Sequence, residues 1–395
     1  MNGCILILVA LGLSIVFGLM GIINFAHGVF YMLGAYAGWL TVHITGSFWL
    51  ALAVAPVTVG LLGALVERGV LKRIYGTKNA NFAGVLVTYG LAIMIPDLVR
   101  MTFGRPGKPF AVPQVLTGSL FQLGATEVHG YRVFILLVTA VLLPLLWLLL
   151  NKTNLGLVIR AGTSDNLMVQ LLGINVARTW TITYSLGAAL AALAGVITAP
   201  LVAVAPEMGG LVLIECFIVT VVGGMGSFLG VVAGGLLIGQ TLALSQVFYY
   251  VVLMWTPVTG GTDGLGNLPI LYLSEPLGWR LSKRPVTRYY VIATIIVVAM
   301  LAIRHLLRSP LGRAMRAVKA NETRAAACGY DTRRVRLVAF AISGFFSGLA
   351  GALLTIVLEF VPIENIHWQM SGTVLIMTLF GGTGTLLGPS RRTGS

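Results

Sequence analysis

The chain has 395 residues, 57% of them hydrophobic and 10% charged, with a mean hydropathy of +0.94. Soluble domains carry about a quarter charged residues, so this composition excludes an ordinary soluble protein. The net charge of +14 could suit a nucleic-acid binder, but most of the 26 Lys and Arg sit in three segments between apolar runs, residues 67–80, 152–178 and 304–336. That is the signature of cytoplasmic loops, and the partner it predicts is membrane lipid, with no nucleic acid.

Residues 4–23 form the first apolar segment, which ends in INFAHG. Residues 29–44 and 48–66 are the second and third, and the basic loop ERGVLKRIYGTKNAN follows. Residues 82–103 return outward and carry Asp97 and Arg100, three apart on one helix and expected to pair. Residues 104–130 are a Pro- and Gly-rich outer loop, and 131–150 come back in. After the second basic loop come two or three membrane segments, then 229–254, a polar outer loop over 255–287, and 288–303. The third basic loop precedes 337–361 and 368–388. The expectation is an all-α polytopic membrane protein with ten or eleven spanning segments, because runs of about 20 apolar residues cross the bilayer as helices. No cleavable signal peptide is evident, since the start lacks a basic stretch.

Part of the chain is used twice. An offset of 156 pairs Leu155-Gly156 with Leu311-Gly312, Arg160-Ala161 with Arg316-Ala317, Gly173 with Gly329 and Arg178 with Arg334. Two residues later in register, GGMG at 223–226 falls on GGTG at 381–384. Two homologous membrane halves are a common transporter plan, here with parallel repeats, since all three basic loops then share one side.

Gly187, Ala191 and Gly195, and likewise Gly344 and Gly348, recur every four residues, a spacing that lets membrane helices approach closely. Asn24, His27 and Gly28 sit at a helix end in the apolar region, where polar groups are costly and often functional; a structural His is an equal alternative. Glu215 lies in an apolar run and suits either a cavity or a pairing role, whereas Glu207, Glu359 and Glu364 fall near outer helix ends and are expected to be solvated. The breaks at Gly223, Gly224, Gly381 and Gly382 fit interrupted helices whose backbone lines a cavity, or simple loops. These residues are the candidates for a translocation path.

Each repeat's basic loop also holds a candidate contact for a soluble motor: Arg160, Asp165 and Gly173 in the first repeat, Arg316, Glu322, Ala325, Ala326 and Gly329 in the second. ETRAAACG reads as a short helix stopped by a glycine, and positive-inside orientation alone is the competing account. Cys4, Cys216 and Cys328 give neither a metal site nor a disulfide framework. There is no GxSxG, HExxH, CxxC or Gly-Lys-Ser/Thr motif, so no enzyme and no cofactor are expected.

The motifs ALGLSIVFGLMGIINFAHG, LLGIN, LAALAG and VVGGMGS, then TGGTDGL, RSPLGRAMRAVKANETRAAACGY, FFSGLAGAL and FGGTGTLLGP, resemble the permease subunits of bacterial ABC importers for branched-chain amino acids. Residues 1–240 resemble the first permease type and 241–395 the second, incomplete, as if fused and truncated at the junction and the C-terminus. The resemblance implies a cell inner membrane protein energised by separate ABC ATPase subunits and fed by a periplasmic or lipid-anchored substrate-binding protein, with room for a second permease subunit. A urea or short-amide permease, or a non-functional fusion fragment, is the alternative.

Overall fold

The computed structural model describes residues 2–21, 24–74, 80–123, 126–164, 166–224, 226–266, 272–274, 279–280 and 285–381. It is helical almost throughout, and it divides into two compact units, residues 1–245 and 246–395.

The first unit holds α1 (Asn2–Met20), α2 (His27–Thr45), α3 (Phe48–Gly69), α4 (Ala80–Phe103), α5 (Gly130–Lys152), α6 (Asn154–Ser164), α7 (Asn166–Leu171), α8 (Val176–Thr198) and α9 (Met208–Gly223). α10 (Phe228–Met254) carries the chain into the second unit. There follow α11 (Thr256–Thr259), α12 (Pro285–Arg308), α13 (Pro310–Ala320), α14 (Glu322–Ala327), α15 (Thr332–Leu358) and α16 (Trp368–Gly381). Among the described residues, α3, α4, α5, α8, α10, α12 and α15 are long and apolar enough to cross a membrane; α1 and α9 are apolar but shorter. α2 and α16 occupy the remaining predicted segments. The two outer loops are not wholly irregular: each carries a short antiparallel hairpin, β1 (Ser119–Leu123) with β2 (Thr126–His129), and β3 (Tyr272–Ser274) with β4 (Trp279–Arg280). In a loop without helical periodicity, pairing the strands satisfies backbone groups that would otherwise need water.

α8 is the centre of the first unit and packs against α1, α2 and α3. Its small residues explain how. A Cβ on Gly195 would lie 2.1 Å from the Tyr31 carbonyl of α2, and one on Gly187 2.9 Å from the Gly12 carbonyl of α1. Ala188, Ala191, Ala192 and Ala194 are buried beside them. Without a hydrophobic drive between helices in lipid, such close backbone approach supplies the attraction. Two polar ties reinforce it: Ser185 Oγ donates to the Gly60 carbonyl (2.7 Å), and the Tyr131 hydroxyl to that of Ile197 (2.6 Å).

The second unit departs from the expected packing. Nothing in the described structure comes within 4 Å of a Cβ placed on Gly344, Gly348 or Gly351, so this small-residue face makes no close helix contact among the described residues. α15 instead touches α12, α13 and α14 elsewhere on its surface.

The repeat is visible in local geometry, position by position at the 156 offset. Thr153 and Ser309 accept from the amides of Gly156 and Gly312 and start α6 and α13. Arg160 Nη1 donates to the carbonyl of Leu150 and Arg316 Nη1 to that of Leu307, one residue past the strict counterpart Leu306, each capping the end of the preceding membrane helix. Gly173 and Gly329 are left-handed (φ +81° and +85°) and stop α7 and α14. Asn175 and Asp331 then cap α8 and α15 through the amides of Arg178 and Arg334.

Candidate functional site

Asn24–Gly28, the described part of INFAHG, forms a buried turn leading into α2. Asn24 and His27 are almost wholly enclosed. Asn24 Oδ1 accepts from the Ala26 amide (3.1 Å), an Asx turn that sets up the start of α2. The Phe25 amide donates to Thr88 Oγ1 on α4 (3.2 Å), and the Phe25 ring stacks on Phe217 of α9. His27 Nε2 lies 2.9 Å from the Val9 carbonyl of α1; a carbonyl only accepts, so Nε2 carries the proton. The histidine therefore ties α2 to α1, and its Nδ1 is buried without a hydrogen-bond partner among the described residues. Gly28 lets α2 meet α9, since a Cβ there would lie 2.1 Å from the Gly209 carbonyl.

Glu215, midway along α9, is only partly buried. It makes no hydrogen bond or ion pair among the described residues and lies within electrostatic reach of Tyr31, four residues after His27. A carboxyl in an apolar helix with no in-chain partner is costly, and such groups face a bundle interior or a water-filled cavity.

The GGMGS stretch joins α9 to α10, and its Met225 lies outside the described residues. α9 ends at Gly223, and Gly224 and Gly226 take positive φ (+90° and +85°). Ser227 accepts from the Gly230 amide at the start of α10 (3.1 Å). The two helices fold back on each other: a Cβ on Gly223 would lie 2.4 Å from the Gly230 carbonyl. Ser14 of α1 accepts from the Gly226 amide (3.0 Å) and holds the turn in place. In the second unit Gly381 is the last residue of α16, and Gly382 lies outside the described residues.

At the other end of α8 the structure adds a residue that composition had placed in a basic loop. α3 continues through Gly69, so Glu67 is helical and fully buried. Thr181 Oγ1 on α8 donates to its Oε2 (2.6 Å), while Oε1 has no hydrogen-bond partner. Thr183 Oγ1, nearby on α8, is buried and unpartnered. The two threonines should respond oppositely to an isosteric change. Thr181→Val removes a donor from a buried carboxyl and should cost about 1–3 kcal/mol, whereas Thr183→Val deletes an unpaired hydroxyl and should be neutral or stabilising. Thermal unfolding of both variants in detergent checks this; equal losses would contradict it.

Glu207 and Glu359 are exposed by about half, yet they are paired, and the side chain of Glu364 lies outside the described residues. Arg100 bridges Asp97 (2.5 Å) and Glu207 (3.0 Å), and Arg288 contacts Glu359. Such exposed pairs contribute roughly 0–1 kcal/mol each. In each basic segment of the repeat lies a short helix, α7 in the first unit and α14 in the second. Ala325 is buried within the second unit, and Ala326 beside it is exposed. Glu322 pairs with Arg336 of α15 (3.0 Å), which fixes α14 on the membrane helix. Asp165 lies outside the described residues.

Comparison with known proteins fits this arrangement. The family described as branched-chain amino acid transport system / permease component matches residues 1–260 and again 240–390. The chain belongs to this family. Among relatives of this permease, LivH, a high-affinity branched-chain amino acid transport system permease protein of Salmonella typhimurium, is 29% identical over 61% of this chain and 82% of its own length. BraD of Pseudomonas aeruginosa is 31% identical over 59% of this chain and 79% of its own. LivM of Escherichia coli is 30% identical over 37% of this chain and 39% of its own. No solved structure matches the permease.

Proposed function

We propose that this multi-pass permease imports branched-chain or related amino acids across the cytoplasmic membrane as part of an ATP-driven system. The observation that carries the reading is the double family match, over 1–260 and 240–390. Residues 1–240 and 241–395 are taken as the two permease halves. Separate ATPase subunits supply the energy, a substrate-binding protein delivers the cargo, and a second permease chain completes the pore.

The translocation path in this reading runs past the buried Asn24–His27–Gly28 turn, Glu215 and the Gly223–Gly224 turn, with Gly381 and Gly382 as counterparts in the second half. Glu215 supports it best, because its partly buried carboxyl has no hydrogen-bond or ion-pair partner among the described residues. ATPase contact falls on the basic face at the repeat-related elbows. Arg160 and Arg316 brace those elbows, and the short helices before Gly173 and Gly329 present the surface.

Uptake tests the reading. Expressed with its partner subunits in cells lacking branched-chain amino acid uptake, the chain should restore accumulation of radiolabelled leucine, and Glu215→Leu should abolish it with protein level unchanged. Restored uptake of urea but not leucine would overturn the substrate class.

A further inference from the structure

At the basic end of the first unit, α1, α5, α6 and the turn before α10 enclose a cavity of about 260 Å³. That is many times the roughly 30 Å³ of one water molecule. Arg160 and Asn151 line one wall, and Ser14, Ser227 and the first turn of α10 another. The third side is apolar and carries Trp147. None of the described lining residues is acidic.

We propose that this cavity holds the phosphate headgroup of an anionic phospholipid from the inner leaflet. Two features suit a phosphate, and a third points to a lipid rather than to a free solute. The guanidinium of Arg160 is a permanent charge with a planar set of donors suited to phosphate oxygens. Phe228 and Leu229, which open α10, line the same space, and a helix N-terminus favours an anion. The apolar wall ends in Trp147, five residues before the exposed Lys152 that closes α5, the level at which tryptophans mark the membrane–water interface. A phosphate at that depth brings acyl chains that can run along the exposed apolar face of α5, where Leu137, Val141, Leu145 and Leu148 are open. Basic pockets between membrane helices on the cytoplasmic side are suited to such headgroups. The proposal rests on the orientation that puts the basic loops in the cytoplasm, and it is independent of what the permease transports.

The test uses the full chain in vesicles of phosphatidylcholine containing brominated phosphatidylglycerol or, separately, brominated phosphatidylcholine. Trp147 fluorescence is isolated as the difference between the parent and Trp147→Phe. One basic side chain near an anionic headgroup should give about a fivefold preference for the brominated phosphatidylglycerol. Arg160→Gln should abolish the preference, Arg160→Lys should keep most of it, and Lys319→Gln, outside the cavity, should leave it unchanged. Equal quenching of the parent by the two lipids overturns the proposal, and this comparison needs no variant of Arg160 to fold. Displacement of the lipid by millimolar inorganic phosphate would also overturn it, because the site would then take free anions.

Discussion

Gly195→Leu should abolish recovery of folded permease, while Gly344→Leu should leave it at the parental level. The two glycines occupy similar places in the pattern of small residues, yet their surroundings differ. At Gly195 a Cβ would meet the Tyr31 carbonyl at 2.1 Å and the Ala35 amide nitrogen at 3.1 Å. Both are backbone atoms of α2 and cannot rotate away, so α8 and α2 must separate. Overpacking a well-packed contact costs typically 1–3 kcal/mol when side chains can adjust, and here they cannot. α8 also packs on α1 and α3, so its displacement would loosen the whole first unit. At Gly344 nothing lies within 4 Å. Replacing a helical Gly with Leu there gains up to about 1 kcal/mol of helix propensity. Size-exclusion chromatography of detergent-extracted protein reads the outcome. Equal recovery of the two variants would refute the packing assignment.

That contrast shows what the sequence could and could not carry. Periodic glycines were visible in both halves, but only three-dimensional placement separates α8, enclosed by three helices, from α15. The repeat was legible because its signals are local. Thr153 and Ser309, Gly173 and Gly329, and Asn175 and Asp331 act on amides or dihedrals within a few residues, so their geometry follows from sequence alone. The glycine stop after ETRAAA was readable for the same reason. Long-range partners were not. Glu67 meets Thr181 across 114 residues, and charge placed it among loop residues. Arg100 was expected to find Asp97 three residues away, but its second partner, Glu207, is 107 residues on. His27 bonds through Nε2 to the Val9 carbonyl, 18 residues back, a partner that the INFAHG motif itself did not announce. The GGMGS stretch fitted both a broken helix and a loop, and the mutual contact of Gly223 and Gly230 resolves it as a helical turn-back.

Ala326→Trp should remove ATPase binding and leave the membrane fold unchanged. The chain carries no Gly-Lys-Ser/Thr phosphate loop, so in the proposed importer the work of ATP enters through a protein contact. α14 is suited to that contact. Asn321 caps it, Gly329 stops it, and the exposed Glu322–Arg336 pair joins it to α15, the membrane helix that follows. Coupling of this kind is reciprocal, so substrate delivery on the far side would alter ATPase affinity through the same element. Its adjacent alanines separate two effects. Ala325 is buried inside the chain, and a Trp there should damage folding; Ala326 is exposed, and a Trp there should only obstruct a partner. Burying one large misfitting side chain in a contact costs on the order of 1–3 kcal/mol, a drop of roughly five- to 150-fold in affinity. Pull-down of the ATPase by detergent-solubilised parent, Ala326→Trp and Ala325→Trp proteins decides the matter, with circular dichroism as the check on fold. Retention of the ATPase by a folded Ala326→Trp protein at the parental level would exclude α14 as the coupling surface.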